Sequence, residues 1–161
     1  MAGALIDHPE ANLELLRAPL PDDDGEKSQP WRHGALMPVR VTLRDFAARG
    51  LPNPPKKARA SHLWDFVTAE LEIAALGEYA PHLQREMLEK GGIFFLDGLD
   101  EVPEAHSRRV QIKAVVEDVI KTFHKCRVLI TSRTYAYQNQ AWKIEDLPTV
   151  VLAPLSRGQI N

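Results

Sequence analysis

The sequence predicts an α/β fold built on a parallel sheet with helices on both faces. Three observations carry this expectation. Gly92-Ile-Phe-Phe-Leu-Asp-Gly-Leu-Asp-Glu-Val102 opens with an apolar run that does not alternate, the habit of a central strand covered on both faces. Ile112, Val115, Val116, Val119, Ile120 and Phe123 recur at helical spacing. Cys126-Arg-Val-Leu-Ile-Thr-Ser-Arg133 then reads as a second strand ending in polar residues. Strand, long helix, strand is a βαβ unit, whose crossover is expected to be right-handed.

The remaining elements follow along the chain. Residues 1–35 hold a short apolar stretch interrupted by Pro9, then PLPDDDGEKSQPWRHG, an exposed Pro/Asp-rich loop. Asp22 to Asp24 read as solvated, since three adjacent carboxylates do not converge without partners. Residues 36–161 carry the periodic elements. In Met37–Leu43, Val39, Val41 and Leu43 share one face of a strand, and Arg44–Arg49 leads out as a short helical turn. Pro52, Pro54 and Pro55 break the chain beside Lys56, Lys57 and Arg59, a basic loop. Ser61 is the expected N-cap of a helix to about Leu76 with Gly77 as its stop. Pro81 opens a second helix that Gly91-Gly92 ends. The long helix is expected from Pro103 to about His124, a last strand at Thr149–Leu152, and a helix start at Leu155–Ile160.

Composition narrows the function classes. The chain has 161 residues and a net charge of -2, so one domain is the default and no basic field favours nucleic acid or anionic lipid. Its single cysteine, Cys126, excludes an internal disulfide and any multi-cysteine zinc site, and reads as a packing residue. No apolar run approaches the roughly 20 residues of a membrane span, and the N-terminus lacks the pattern of a signal peptide. A reducing cytoplasm is the expected location. Trp31, Trp64 and Trp142 read as core or loop anchors.

Ligands of open parallel sheets sit beyond the carboxyl ends of the strands. Asp97, Asp100, Glu101, Thr131 and Arg133 all fall there. A hard cation such as Mg²⁺ binds through a carboxylate, waters and phosphate oxygens, which suits Asp97. A second carboxylate can orient or deprotonate a water for attack on a γ-phosphate, which suits Glu101 with Asp100. Arg133 is placed to contact that phosphate. Competing readings fit less well. An EF-hand lacks its alternate ligands, and its twelfth position would be Arg108. The carboxylates are not two apart, as a phosphotransferring DxD would require. A glycosidase pair lacks aromatic sugar platforms. The bland alternative is that the acids cap the following helix, and Glu104 suits that role by itself.

FFLDGLDEV, a helix, then VLITSR resembles the Walker B and sensor 1 segments of NACHT domains, a branch of the STAND P-loop NTPases. PVRVTLRDFA is similar to the strand before Walker B, and VVLAPLSRGQI to the strand and helix start that close the core, so the resemblance spans roughly residues 36–160. It implies an ATP-dependent molecular switch that self-assembles in a multidomain signalling protein. It makes Asp97 the Mg²⁺-linked acid, Asp100 and Glu101 the water-serving pair, and Arg133 the sensor 1 residue, with Thr131 beside the cofactor. The phosphate-cradling G-x-x-x-x-G-K-[ST] loop is absent from the sequence, and Gly25-Glu-Lys-Ser28 lacks its glycine spacing. The expectation is therefore an incomplete P-loop NTPase core, the middle of a larger protein, with MAGALI as the tail of the P-loop helix. ATP and Mg²⁺ are expected in the complete domain, with no tight binding by this chain alone. Two other classes are weighed. One is a remnant that binds protein partners through an unpaired sheet edge. The other is a nucleic-acid module using Lys56, Lys57, Arg59, Arg108, Arg109 and Lys113, which the balanced charge disfavours.

Overall fold

The computed structural model describes residues 35–103, 107–137, 144 and 147–152. Met37–Pro148 form one compact unit. Strand β1 (Met37–Thr42) runs directly into helix α1 (Leu43–Arg49). Helices α2 (Ala60–Ile73) and α3 (Ala80–Glu89) lead to β2 (Gly92–Asp97). Helix α4 (Arg108–Thr122), strand β3 (Arg127–Ile130) and the short α5 (Thr134–Tyr137) follow among the described residues. The sheet is parallel throughout, in the order β1-β2-β3. The fold class is α/β.

The register explains which face is buried. Val39 pairs with Phe94 and Val41 with Leu96, and these in turn meet Val128 and Ile130. That face packs against Leu63, Trp64, Phe66 and Val67 of α2 and Ile112, Val115, Val116 and Val119 of α4 in one core cluster. The Phe94 ring meets Phe123 edge-on at 5.3 Å, and the Trp64 ring lies tilted against Phe123 at 5.7 Å. Ile93 and Phe95, on the opposite face, are half-buried, and Arg40 and Leu129 there are exposed. The apolar run of β2 thus alternates in burial although it does not alternate in sequence.

Several boundaries differ from expectation for identifiable reasons. Helix α2 begins at Ala60, one residue before Ser61, because its cap comes from elsewhere. The Ala60 N–H donates to Asp118 Oδ2 of α4 at 2.8 Å, and the Arg59 N–H donates to His62 Nδ1 at 3.1 Å. The helix stops at Ile73 because Ala75 takes the left-handed region, φ 59°, before Gly77 is reached. Helix α4 begins at Arg108, not Pro103, with Ser107 as its N-cap in the left-handed region at φ 58°. Pro81 does lie in the first turn of α3. Gly91, φ 92°, follows that helix where an added Cβ would collide with the Lys125 carbonyl oxygen.

Residues Thr149–Leu152, expected as a strand, form none, and Val150, Val151 and Leu152 are exposed. An apolar, β-branched run has strand character only when a sheet pairs with it. The expectations for residues 1–34, Glu104, Trp142 and 155–160 lie outside the described residues. Among the described residues no helix is long and apolar enough to cross a membrane.

The basic pair at the start of α4 has a structural use. Arg108 donates to the carbonyls of Leu51 and Pro52 at 3.3 and 3.0 Å, and Arg109 Nε to the Val102 carbonyl at 3.1 Å. These bonds tie two loops to the helix. Cys126 donates its S–H to the Met87 carbonyl at 3.1 Å, and burial pushes its thiol pKa up. Both facts suit the packing role expected of it.

Candidate functional site

Parallel pairing brings the carboxyl ends of β1, β2 and β3 to one rim of the sheet. Asp97 is the last residue of β2 and registers beside Thr42 of β1. The chain must then turn away from the strand direction, and Gly98 does this at φ 81°. Only glycine adopts that conformation without strain. A single 3₁₀ turn, Leu99–Glu101, follows and carries Asp100 and Glu101 back over the rim. Leu99 is buried beneath it, which anchors the turn.

Thr131 fastens the turn to β3. Its N–H donates to the Leu96 carbonyl at 3.0 Å, and its carbonyl accepts from the Leu99 N–H at 2.9 Å. Its hydroxyl accepts from the Gly98 N–H at 3.0 Å and donates to Asp97 Oδ1 at 2.6 Å. Thr131, expected beside a cofactor, thus positions Asp97 and gives its hydroxyl proton to that carboxylate in a hydrogen bond.

Each of the three carboxylates meets an arginine. Arg40 Nη2 of β1 donates to Asp97 Oδ2 at 2.7 Å. Asp100 is the most buried of the three carboxylates, its side chain 10% exposed. Its Oδ2 lies 3.3 Å from Arg133 Nε. The Arg133 backbone N–H also donates to Asp100 Oδ1 at 3.1 Å, so Asp100 holds the loop after β3. Glu101 has the loosest partner, Arg44 Nη1 at 3.9 Å, and is the carboxylate with most freedom. Arg133 Nη1 donates to the Tyr135 hydroxyl at 3.4 Å, and Tyr135 followed by Asp100 raises the Arg133 pKa further. The Thr131 hydrogen bond first, and Arg40 second, hold the Asp97 carboxyl below its ordinary pKa. It is therefore an anion at neutral pH.

The rim thus collects all five residues singled out from the sequence, and it adds two that were not. Arg40 and Arg44 belong to β1 and α1, more than fifty residues from their acids. The only sequence trace of Arg40 is that it is the charged residue in an otherwise apolar alternating strand. Which strand lies beside β1 had to be known before that charge had an address.

The donor set limits how a divalent cation could be held. Among the described residues no group of three or more His, Cys, Asp or Glu converges to hold a metal. One exposed, ionised carboxylate is still what Mg²⁺ requires when water and phosphate oxygens supply the other positions. Asp97 fits that limited role. A groove of about 220 Å³ along β1, lined by Pro38–Val41, Phe66, Val67, Glu70, Leu71 and Leu83, includes none of the rim acids.

No family model matches the chain, and no curated protein or solved structure matches it.

Proposed function

We propose that this chain carries the Walker B and sensor 1 half of a NACHT-type, ATP-dependent molecular switch. The observation that carries the reading is the arrangement of the rim. An acid ends β2, a 3₁₀ turn brings Asp100 and Glu101 back, and Arg133 stands after the neighbouring strand β3, tied to Asp100. In the complete core, helices would lie on both faces of the sheet, and a phosphate-binding loop would supply the backbone N–H cradle and the lysine.

The roles follow from the contacts. Asp97 would hold the cation through one oxygen, with Thr131 fixing the other. Bound Mg²⁺ would neutralise and orient the phosphates. Glu101, the least engaged acid, is the better placed to orient a water and take up its proton. Asp100 instead positions Arg133, which would meet the γ-phosphate. Without the phosphate cradle the rim offers the triphosphate no backbone N–H cradle and no lysine, so this chain alone should bind MgATP weakly or not at all.

Calorimetric titration of MgATP tests this on the chain itself and on a longer chain extended upstream through a G-x-x-x-x-G-K-[ST] loop. Tight binding is expected only in the longer chain, and Asp97→Asn should abolish it. Absence of binding there, or binding indifferent to Asp97→Asn, would sink the reading.

A second reading has its own support. Among the described residues β3 pairs on one side only, and Leu129 on it is exposed. An unpaired edge can add a strand from a partner, so a non-catalytic protein-interaction module is the alternative. Amide hydrogen exchange distinguishes the two. Partner-dependent protection of β3, without any response to MgATP in the longer chain, would favour it.

A further inference from the structure

We propose that Arg40 is a resident counter-cation of Asp97 that a divalent cation must displace, so that β1 sets the metal affinity of the rim. This rests on the reading of Asp97 as the metal-linked acid. The argument starts from the two oxygens of one carboxylate. Thr131 occupies Oδ1 at 2.6 Å, and the Thr131 hydroxyl is itself fixed by the Gly98 N–H. Oδ2, the oxygen that the Thr131 hydroxyl does not hold, carries Arg40 Nη2 at 2.7 Å.

Arg40 suits a displaceable role. Its side chain is 71% exposed and Asp97's is 40% exposed, so the pair is a surface ion pair of modest strength. A long, solvated side chain on the less covered face of the sheet can swing into water without disturbing the core. Thr131, by contrast, has its backbone tied to Leu96 and Leu99, which keeps it beside Asp97. The rest of the rim reinforces the effect. Asp100 faces Arg133, and Glu101 faces Arg44 at longer range, so each acid is matched by a guanidinium. The rim presents little net negative charge to attract a dication while Arg40 stays in place. Moving Arg40 away frees an oxygen and unmasks one negative charge in the same step.

Arginine is always charged, so protonation does not release this contact, whereas competition by a stronger cation does. Salt would weaken it by screening. A +1 charge a few ångströms from a dication, in exposed surroundings, opposes binding by about three- to tenfold.

The test uses the full chain and Mn²⁺ as the probe, with free Mn²⁺ read by electron paramagnetic resonance at fixed ionic strength. Arg40→Gln should tighten Mn²⁺ binding about three- to tenfold. Arg40→Lys, which keeps the charge, should stay closer to the parent. In an Asp97→Asn background, Arg40→Gln should change nothing. Circular dichroism melts confirm that each variant folds. If Asp97→Asn weakens Mn²⁺ binding but Arg40→Gln leaves it unchanged or weaker, the inference fails and the metal role of Asp97 stands. If Mn²⁺ binding ignores Asp97→Asn in every variant, the inference and the metal role fall together. If Arg40→Gln brings no Mn²⁺ binding into range, the inference is overturned, and the MgATP titration of the longer chain judges the parent reading independently.

Discussion

The two ends of β2 are held by different physics. From Phe94 to Leu96 the strand sits in an apolar layer, with Phe94 and Leu96 almost fully removed from solvent between α2 and α4. One residue later, at Asp97, every contact is polar, directional and at least partly exposed. Burial of that apolar layer is worth kilocalories per side chain and is neither screened by salt nor titrated by pH. Exposed ion pairs at the rim are worth a fraction of that and depend on both. The core therefore fixes where the rim is, and the rim is left free to exchange partners. Under the proposed function, that division would let the rim admit and release a charged ligand.

The comparison can be broken from its stronger side first. Phe94→Ala should destabilise the chain by about 3–5 kcal/mol in urea unfolding, through lost burial and the cavity left beside Phe123. A loss below about 1 kcal/mol would mean that the layer is not the anchor described. Next comes Thr131→Val, which keeps the shape but removes the hydroxyl shared by Asp97 and the Gly98 N–H. About 1–2 kcal/mol of stability should be lost, and no change would show that the turn is held by Leu99 burial alone.

Arg40→Gln should be smaller still, about 0.2–1 kcal/mol, and should shrink further as salt is added. A larger, salt-insensitive loss would place Arg40 with the core and not with the exchangeable rim. The finest effect is on pH dependence. The folded pKa of Asp97 lies below its unfolded value because of Thr131 first and Arg40 second. Its contribution is thus fully present above the unfolded carboxylate range, about pH 4, and is lost as pH falls through the lower folded value. Melting temperature measured from pH 6 down to about pH 2 should fall less steeply in Thr131→Val than in the parent. Identical slopes would remove Asp97 as a contributor.

Much of the architecture was legible because it is local. The alternation of Val39, Val41 and Leu43 needs only neighbouring residues to be read, and all three are buried. The spacing of Ile112, Val115, Val116 and Val119 likewise declares the inner stripe of α4. Boundaries were less legible because they were decided across the fold. Ser61 has the chemistry of a cap, yet Asp118, 58 residues away from Ala60, supplies the acceptor and the helix begins earlier. Pro103 has the chemistry of a helix opener, yet Ser107 in the left-handed region sets the start of α4. The apolar run of Thr149–Leu152 has strand character and no strand.

The sequence by itself determined an α/β chain whose polar residues gather where its apolar strands end. That follows because hydrophobic periodicity and strand-ending acids are properties of short stretches, and a parallel βαβ unit points both strand ends the same way. Only the tertiary structure decided the partnerships among those residues. It placed Arg40 on Asp97, Arg133 on Asp100 and Thr131 between β2 and β3. Such pairings depend on which strands are neighbours and in what register. Charge and hydrogen-bond contacts act over a few ångströms in space, and sequence distance carries no record of them.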